Sequence, residues 1–297
     1  MSQIIELIKV LRDRTGAGLM DCKKALLEND NDVEKAIDWL REKGIAKVAK
    51  KSSRIAAEGK TNVLASGNDA IVLEINSETD FVANSDPFAD LVKYCTSAII
   101  TNKPASVEDA KKVGFDGGKS IEETFTDATI KLGEKLDLRR FELVTKTDDE
   151  VFGTYIHMKG KISVLVVLKN GTPELAKGIG MTIAANNPSY IQMEDIPAAV
   201  VEKETAVQTE LSVQDENFSK KPENVRTNII KGRVDKILAE QVLVLQDYVL
   251  DPSKKVGQIL KEAGASVVKF IRYQVGEGLE KRQDDFAAEV MNQAKQI

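Results

Sequence analysis

The chain predicts an α+β protein: a helical N-terminal unit, a two-part core built of duplicated hairpin-plus-helix units, an inserted antiparallel helical hairpin and a C-terminal helix. Three observations predict it. Apolar residues recur at helical spacing through residues 1–44, interrupted by Gly16, Gly18 and the Asn29-Asp30-Asn31-Asp32 cluster. A β-hairpin followed by a proline-opened helix occurs twice. Between the second such unit and a late strand, residues 196–245 return to a helical pattern.

Each element has a local reason. Ile4, Ile5, Ile8 and Leu11 form the stripe of the first helix, which Gly16 and Gly18 stop. Leu19, Cys22, Ala25 and Leu26 make a short second helix. The Asn/Asp cluster caps a third, with Val33, Ile37 and Leu40 facing in and Gly44 as its stop. The basic run Ala46–Arg54 follows as a linker or a continuation of that helix. Lys60–Ser66 and Ala70–Asn76 flank a Gly67-Asn68-Asp69 turn and read as a hairpin. Asp86 then reads as an N-cap, with Pro87 in the first turn of a helix whose stripe is Phe88, Leu91, Val92, Cys95 and Ile99.

The pattern repeats with Val151–His157 and Lys161–Leu168 around Met158-Lys159-Gly160. Thr172-Pro173 caps a helix with Leu175, Ile179, Thr182 and Ile183 on one face. Beyond it, Val200, Val207 and Leu211 mark a seam broken at Glu204. Pro222 opens a helix carrying Val225, Ile229, Ile230, Val234, Ile237 and Leu238. Two helices with narrow seams bury little alone, so this hairpin either protrudes to meet a partner or folds down on the core. Asp251–Leu260 makes a turn and helix, Val267–Val275 a third core strand, and Asp284–Gln296 a final amphipathic helix. The expected units are residues 1–54, 55–145, 146–192 with 241–277, the inserted hairpin 193–240, and a terminal module 278–297.

Composition excludes several classes of function. A net charge of −5 and a pI near 5.3 leave no global electrostatic case for nucleic acid or an anionic membrane. Two scattered cysteines, Cys22 and Cys95, and one histidine, His157, cannot form a typical structural zinc site and suit a reducing compartment. The acid-bearing N-terminus does not read as a signal sequence, and no apolar run reaches about 18 residues, so a cytoplasmic protein is expected. Val113–Ser120 (VGFDGGKS) ends like a phosphate-binding loop but has Val113 where the first glycine is required, and no apolar strand precedes it. No nucleophile, carboxylate pair or metal cluster stands out, so neither catalytic residues nor a cofactor are expected.

The two core units differ at one place. The strand-to-helix connection of the second is only Lys169-Asn170-Gly171-Thr172, whereas the first runs Ser77–Asp86 (SETDFVANSD) and carries Asp80 and Phe81. Such an extension on a rigid scaffold is a common place for binding groups. Phe81 either folds back into the core or is offered outward, and the extension favours the second.

Two segments add a resemblance. Leu11–Leu26 (LRDRTGAGLMDCKKAL) and Glu74–Asn84 (EINSETDFVAN) resemble the two signatures of the translation elongation factor Ts family. MTIAANNPSYI, KPENVRTNIIKGRVDKIL, DPSKKVGQIL, FIRYQVGEGLEK and DFAAEV are similar to it in order and spacing. The resemblance implies a nucleotide exchange factor, not an enzyme, acting on the GTPase elongation factor Tu. It implies a helical N-terminal domain similar to ubiquitin-associated (UBA) domains, a coiled-coil hairpin used in homodimerisation, and a C-terminal helical module. It also implies that Thr79, Asp80, Phe81 and Val82 reach the partner's nucleotide site, the aromatic wedging between helices and disturbing the bound magnesium. Asp80 would set its loop or meet the partner. Arg12 and Met20 are implied partner contacts, ordinary helix packing being the alternative, and His157 is another candidate. Relatives are often glycine-rich after the matching histidine, where this chain has Met158-Lys159-Gly160-Lys161. The alternative function is a UBA-like adaptor without exchange activity.

Overall fold

The computed structural model describes residues 2–51, 53–213 and 216–280. The helix expected over 284–296 lies outside the described residues. The N-terminal unit contains α1 (Ser2–Thr15), α2 (Leu19–Glu28) and α3 (Val33–Lys51) around Ile8, Leu11, Cys22, Ala25, Leu26, Ala36 and Leu40. Ile5 and Leu19 are exposed, because the core-facing stripe of α1 is Ile4, Leu7, Ile8 and Leu11 and that of α2 is Cys22, Ala25 and Leu26. Gly44 does not stop α3, which runs on to Lys51. Its missing side chain serves packing instead: a Cβ there would stand 2.1 Å from Ile130 Cδ1 on the helix beneath. The N-terminal unit is thus seated on the core by close approach, with Arg41 bonded to Glu123 at 2.6 Å beside it.

The first half of the core comprises β1 (Glu58–Ser66), β2 (Asp69–Ser77), α4 (Asp80–Ala83), α5 (Asp86–Asn102), α6 (Val107–Ala110), α7 (Ile121–Leu132) and β3 (Asp137–Thr145). The second has β4 (Glu150–His157), β5 (Ile162–Lys169) and α8 (Pro173–Asn186). The inserted α9 (Ala198–Val213), α10 (Glu216–Ser219) and α11 (Glu223–Ala239) follow, then β6 (Asp247–Tyr248), β7 (Asp251–Lys255), α12 (Val256–Ala263) and β8 (Ser266–Gln274). The hairpins pair antiparallel, β1 with β2 and β4 with β5, and each gains a third strand, giving sheets β1-β2-β3 and β4-β5-β8.

The halves are built alike down to a detail. Each middle strand carries a register shift against its third strand, at Glu74/Ile75 in β2 and at Val167/Leu168 in β5. Both middle strands are covered on both faces, which accounts for their near-continuous apolar sequences. Ile71, Leu73 and Ile75 of β2 pack with Phe88, Leu91, Cys95 and Ile99 of α5. Ala70 and Val72 face the other sheet and meet Leu165 and Ile271 there. Full burial of each large side chain contributes about 1.5–3 kcal/mol, so these two interfaces hold the scaffold.

The bulge in β3 has an electrostatic consequence. Glu74 pairs with Arg140 and Ile75 with Leu138, leaving Arg139 as the extra residue, so two consecutive arginines reach one carboxylate. Glu74 is 0% exposed and accepts from Arg139 at 3.0 Å, Arg140 at 2.6 Å, Asn76 at 3.2 Å and the backbone N–H of Gly276 at 2.8 Å. A buried charge is tolerated when its lone pairs are filled in this way. The network ties the end of the second half to the first.

Other corrections are local. Ser85, not Asp86, is the N-cap position of α5. The predicted seam of the inserted hairpin holds at Val200, Ile230, Val234 and Leu238 but not at its outer positions. Val207, Leu211 and Val225 are exposed, while Glu204 and Gln208 are half-buried, Ser212 is buried and Arg233 of α11 donates to Ser212 Oγ at 2.8 Å. At the base of the hairpin Ile196, Val234, Leu238 and Val242 cluster with Tyr190, Met193, Val200 and Ile230, and Phe218 of α10 is buried at the far end.

Candidate functional site

The connection between β2 and α5 spans residues 78–85, against 170–172 between β5 and α8, so the first half carries extra chain at this point. The extra chain is not an open loop. It folds into the single turn α4 because Thr79 takes the extended N-cap conformation and its hydroxyl accepts the N–H of Val82 at 3.3 Å. Ser77 Oγ donates to the Thr79 carbonyl at 2.9 Å, and Asn84 Nδ2 donates to the Asp80 carbonyl at 2.9 Å, closing both ends. A cap of this kind contributes about 1 kcal/mol.

The turn is anchored on one side only. Val82 is 6% exposed and Ala83 is buried, both in the core cluster of α5 and β2. Phe81 points the other way and is 84% exposed. Single exposed apolar residues are ordinary on protein surfaces, but a fully ordered turn with an outward phenylalanine has already lost the backbone entropy that docking would otherwise cost. Asp80 is exposed beside it in the first helical position. Thr79, rather than Asp80, caps the turn, which frees the Asp80 carboxylate from that task.

The base of the turn is clasped by the segment after α7. Glu134 Oε2 accepts the N–H groups of Glu78 at 3.1 Å and Thr79 at 3.0 Å, and its Oε1 accepts the Thr79 hydroxyl at 2.6 Å. In return Glu78 Oε1 accepts the N–H of Lys135 at 2.6 Å, and Arg54 lies 3.2 Å from the same oxygen. Sequence reasoning missed Glu78, Glu134 and Arg54. The available signal was the glycine stop at Gly133, left-handed at φ 79°, which ends α7 just before Glu134.

The other predicted residues fall in two places. His157 ends β4, its Nδ1 3.0 Å from the Tyr155 hydroxyl. The following turn packs on β1, where Thr61 Oγ1 donates to the Gly160 carbonyl at 2.9 Å and Lys161 pairs with Glu58 at 2.6 Å. Since α4 also touches β1, the structure brings Thr79–Val82 and the His157 turn to the same strand. Met158 in that turn is exposed. Arg12 on α1 and Met20 on α2 belong to the N-terminal unit; Arg12 is exposed and Met20 is 70% exposed, so neither helix packing nor a core role occupies the methionine.

The phosphate-loop lookalike resolves into a capped helix start. Ser120 caps α7 and Glu123 closes a capping box on it, so the N-terminal N–H groups already have a protein partner. Among the described residues no group of three or more His, Cys, Asp or Glu side chains could hold a metal ion. Nor is any described helix long and apolar enough to cross a membrane.

Comparison with known families bears on the whole arrangement. A family model described as "Elongation factor TS" matches residues 78–277, beginning at the clasp of α4. A second, described as "Elongation factor Ts, mitochondrial, N-terminal", matches residues 2–47, the three-helix unit. The chain belongs to the elongation factor Ts family. Membership carries a nucleotide exchange role in translation elongation and an interaction with elongation factor Tu. The elongation factor Ts match takes in the Thr79–Val82 turn, the first half of the core from α4 to β3, the second half and the inserted hairpin.

Proposed function

We propose that the chain releases GDP from elongation factor Tu by pressing Phe81, carried on its capped turn, into the GTPase domain near the magnesium and phosphate site. The observation that carries this reading is the outward Phe81, 84% exposed on a turn whose next residue is buried. The physical logic needs no nucleophile. Mg²⁺ neutralises diphosphate oxygens and is held through few protein ligands and waters, so displacing its supports leaves phosphate charge uncompensated. GDP then binds more weakly, and by linkage GDP weakens the exchange factor to the same degree. Asp80, free of capping duty, is positioned to meet the partner beside Phe81.

The remaining contacts in this reading are Met20 and Arg12 on the N-terminal unit and the His157–Met158 turn on the second half, which presents a separate exposed patch. The inserted hairpin, with Val207, Leu211 and Val225 facing out, serves a second copy of the chain. The test is release of fluorescent GDP from elongation factor Tu. Micromolar chain is expected to speed it by orders of magnitude, and unaltered release would overturn the reading.

A further inference from the structure

We propose that Glu134 is a positioning residue for Phe81: it sets the direction in which α4 presents the phenylalanine, and so sets the exchange rate without touching the partner's nucleotide. The inference rests on the reading of Phe81 as the wedge and adds a residue outside the Glu74–Asn84 segment.

Three hydrogen bonds converge on this one carboxylate, from Glu78 N, Thr79 N and Thr79 Oγ1. The third matters most. A threonine hydroxyl has one proton and two acceptor sites. With the proton committed to Glu134 Oε1, a lone pair remains for the Val82 N–H, which is the bond that closes α4. Glu134 therefore fixes both the path of the backbone entering the turn and the orientation of the cap within it. Phe81 sits between the capped residue and the anchored one, two positions after Thr79 and one before Val82. Its direction follows from those two fixed points.

Removing the carboxylate leaves Val82 anchored, so the turn stays attached, but its entry is no longer held. A displacement of about 1 Å in a positioning group can cost on the order of a hundredfold in rate. Glutamine supplies a single acceptor oxygen for the two backbone N–H groups and presents an NH₂ to Thr79, so it restores the backbone bonds and loses the oriented cap.

The experiment measures GDP release from elongation factor Tu against concentration for wild type, Glu134→Ala, Glu134→Gln, Phe81→Ala and Phe81→Ala/Glu134→Ala, with thermal melting of each. Glu134→Ala is expected to lower the saturating rate by tenfold or more, with the half-saturating concentration within about threefold and Glu134→Gln between it and wild type. The double variant is expected to be no slower than Phe81→Ala alone, the non-additivity of two residues acting through one contact. Wild-type rates for both Glu134 variants would overturn the proposal. So would a Glu134→Ala loss that persists in full on the Phe81→Ala background, which marks general structural damage. A wild-type rate for Phe81→Ala would instead overturn the wedge reading, so the two failures are separable.

Discussion

Phe81→Ala and Val82→Ala are adjacent substitutions with opposite expected consequences. Phe81 is 84% exposed and Val82 6%. Deleting the phenyl ring removes almost no buried surface, so stability should change by less than about 0.5 kcal/mol. Deleting the two methyls of Val82 forfeits about 0.8 kcal/mol per buried carbon and leaves a cavity beside Phe88 and Leu91, so about 2 kcal/mol should be lost. Exchange reverses the order. A phenylalanine buried in a partner contributes about 1.5–3 kcal/mol, which, if realised in the rate-limiting state, corresponds to roughly 10- to 150-fold in GDP release. Val82→Ala should slow exchange only so far as the loosened turn misdirects Phe81. The assays are thermal melting and stopped-flow release of fluorescent GDP. A melting temperature that falls for Phe81→Ala and holds for Val82→Ala would refute the burial assignment; wild-type exchange by Phe81→Ala would refute the functional one.

Two further outcomes follow from the core. Glu74→Ala leaves Arg139 and Arg140 facing an emptied site between the halves, and breaking a buried ion network of this kind costs about 3–5 kcal/mol, measurable in denaturant; a loss under about 1 kcal/mol would contradict the clasp between the halves. The Asp69 carboxyl is held below its ordinary range first by Lys103, at 2.6 Å, and then by the Thr145 hydroxyl. A lowered folded value means that the stabilisation is full above the ordinary carboxylate pKa of about 3.9 and is lost as pH falls through the lower folded value. Asp69→Asn should flatten the acid side of the stability profile below about pH 4, and an unchanged profile would remove the role assigned to Lys103.

Much of the scaffold is legible in the sequence because local and tertiary preferences agree there. The Gly67-Asn68 turn, the stripe of α5 and the Thr172-Pro173 start of α8 each carry a signal that packing reinforces. The same comparison of halves exposes the extension that bears Phe81. Where the signals conflict, reading fails. The stripe of α7 is diluted by Thr124, Thr126 and Thr129, and its N-cap Ser120 is the last residue of a segment that resembles a phosphate loop. In β3 the bulge reverses the phase of alternation between Leu138 and Phe141, so no single strand period runs through it. In the inserted hairpin the buried Ser212, bonded to Arg233, stands where a helical seam predicts an apolar residue, and Gly44 looks like a stop because its contact is with Ile130, far away in sequence. Glu134 is invisible for the same reason: the clasp on α4 joins residues 55 or more positions apart.

The claim that Phe81 acts on the partner's magnesium site is tested most directly by measuring GDP release from elongation factor Tu with wild type and Phe81→Ala, in Mg²⁺ and in EDTA. If the phenylalanine works by loosening the metal, the variant should lag roughly 10- to 150-fold in Mg²⁺, and the two chains should converge once the metal is gone. An equal deficit in both conditions would show that Phe81 contributes only binding, and that magnesium is not its target.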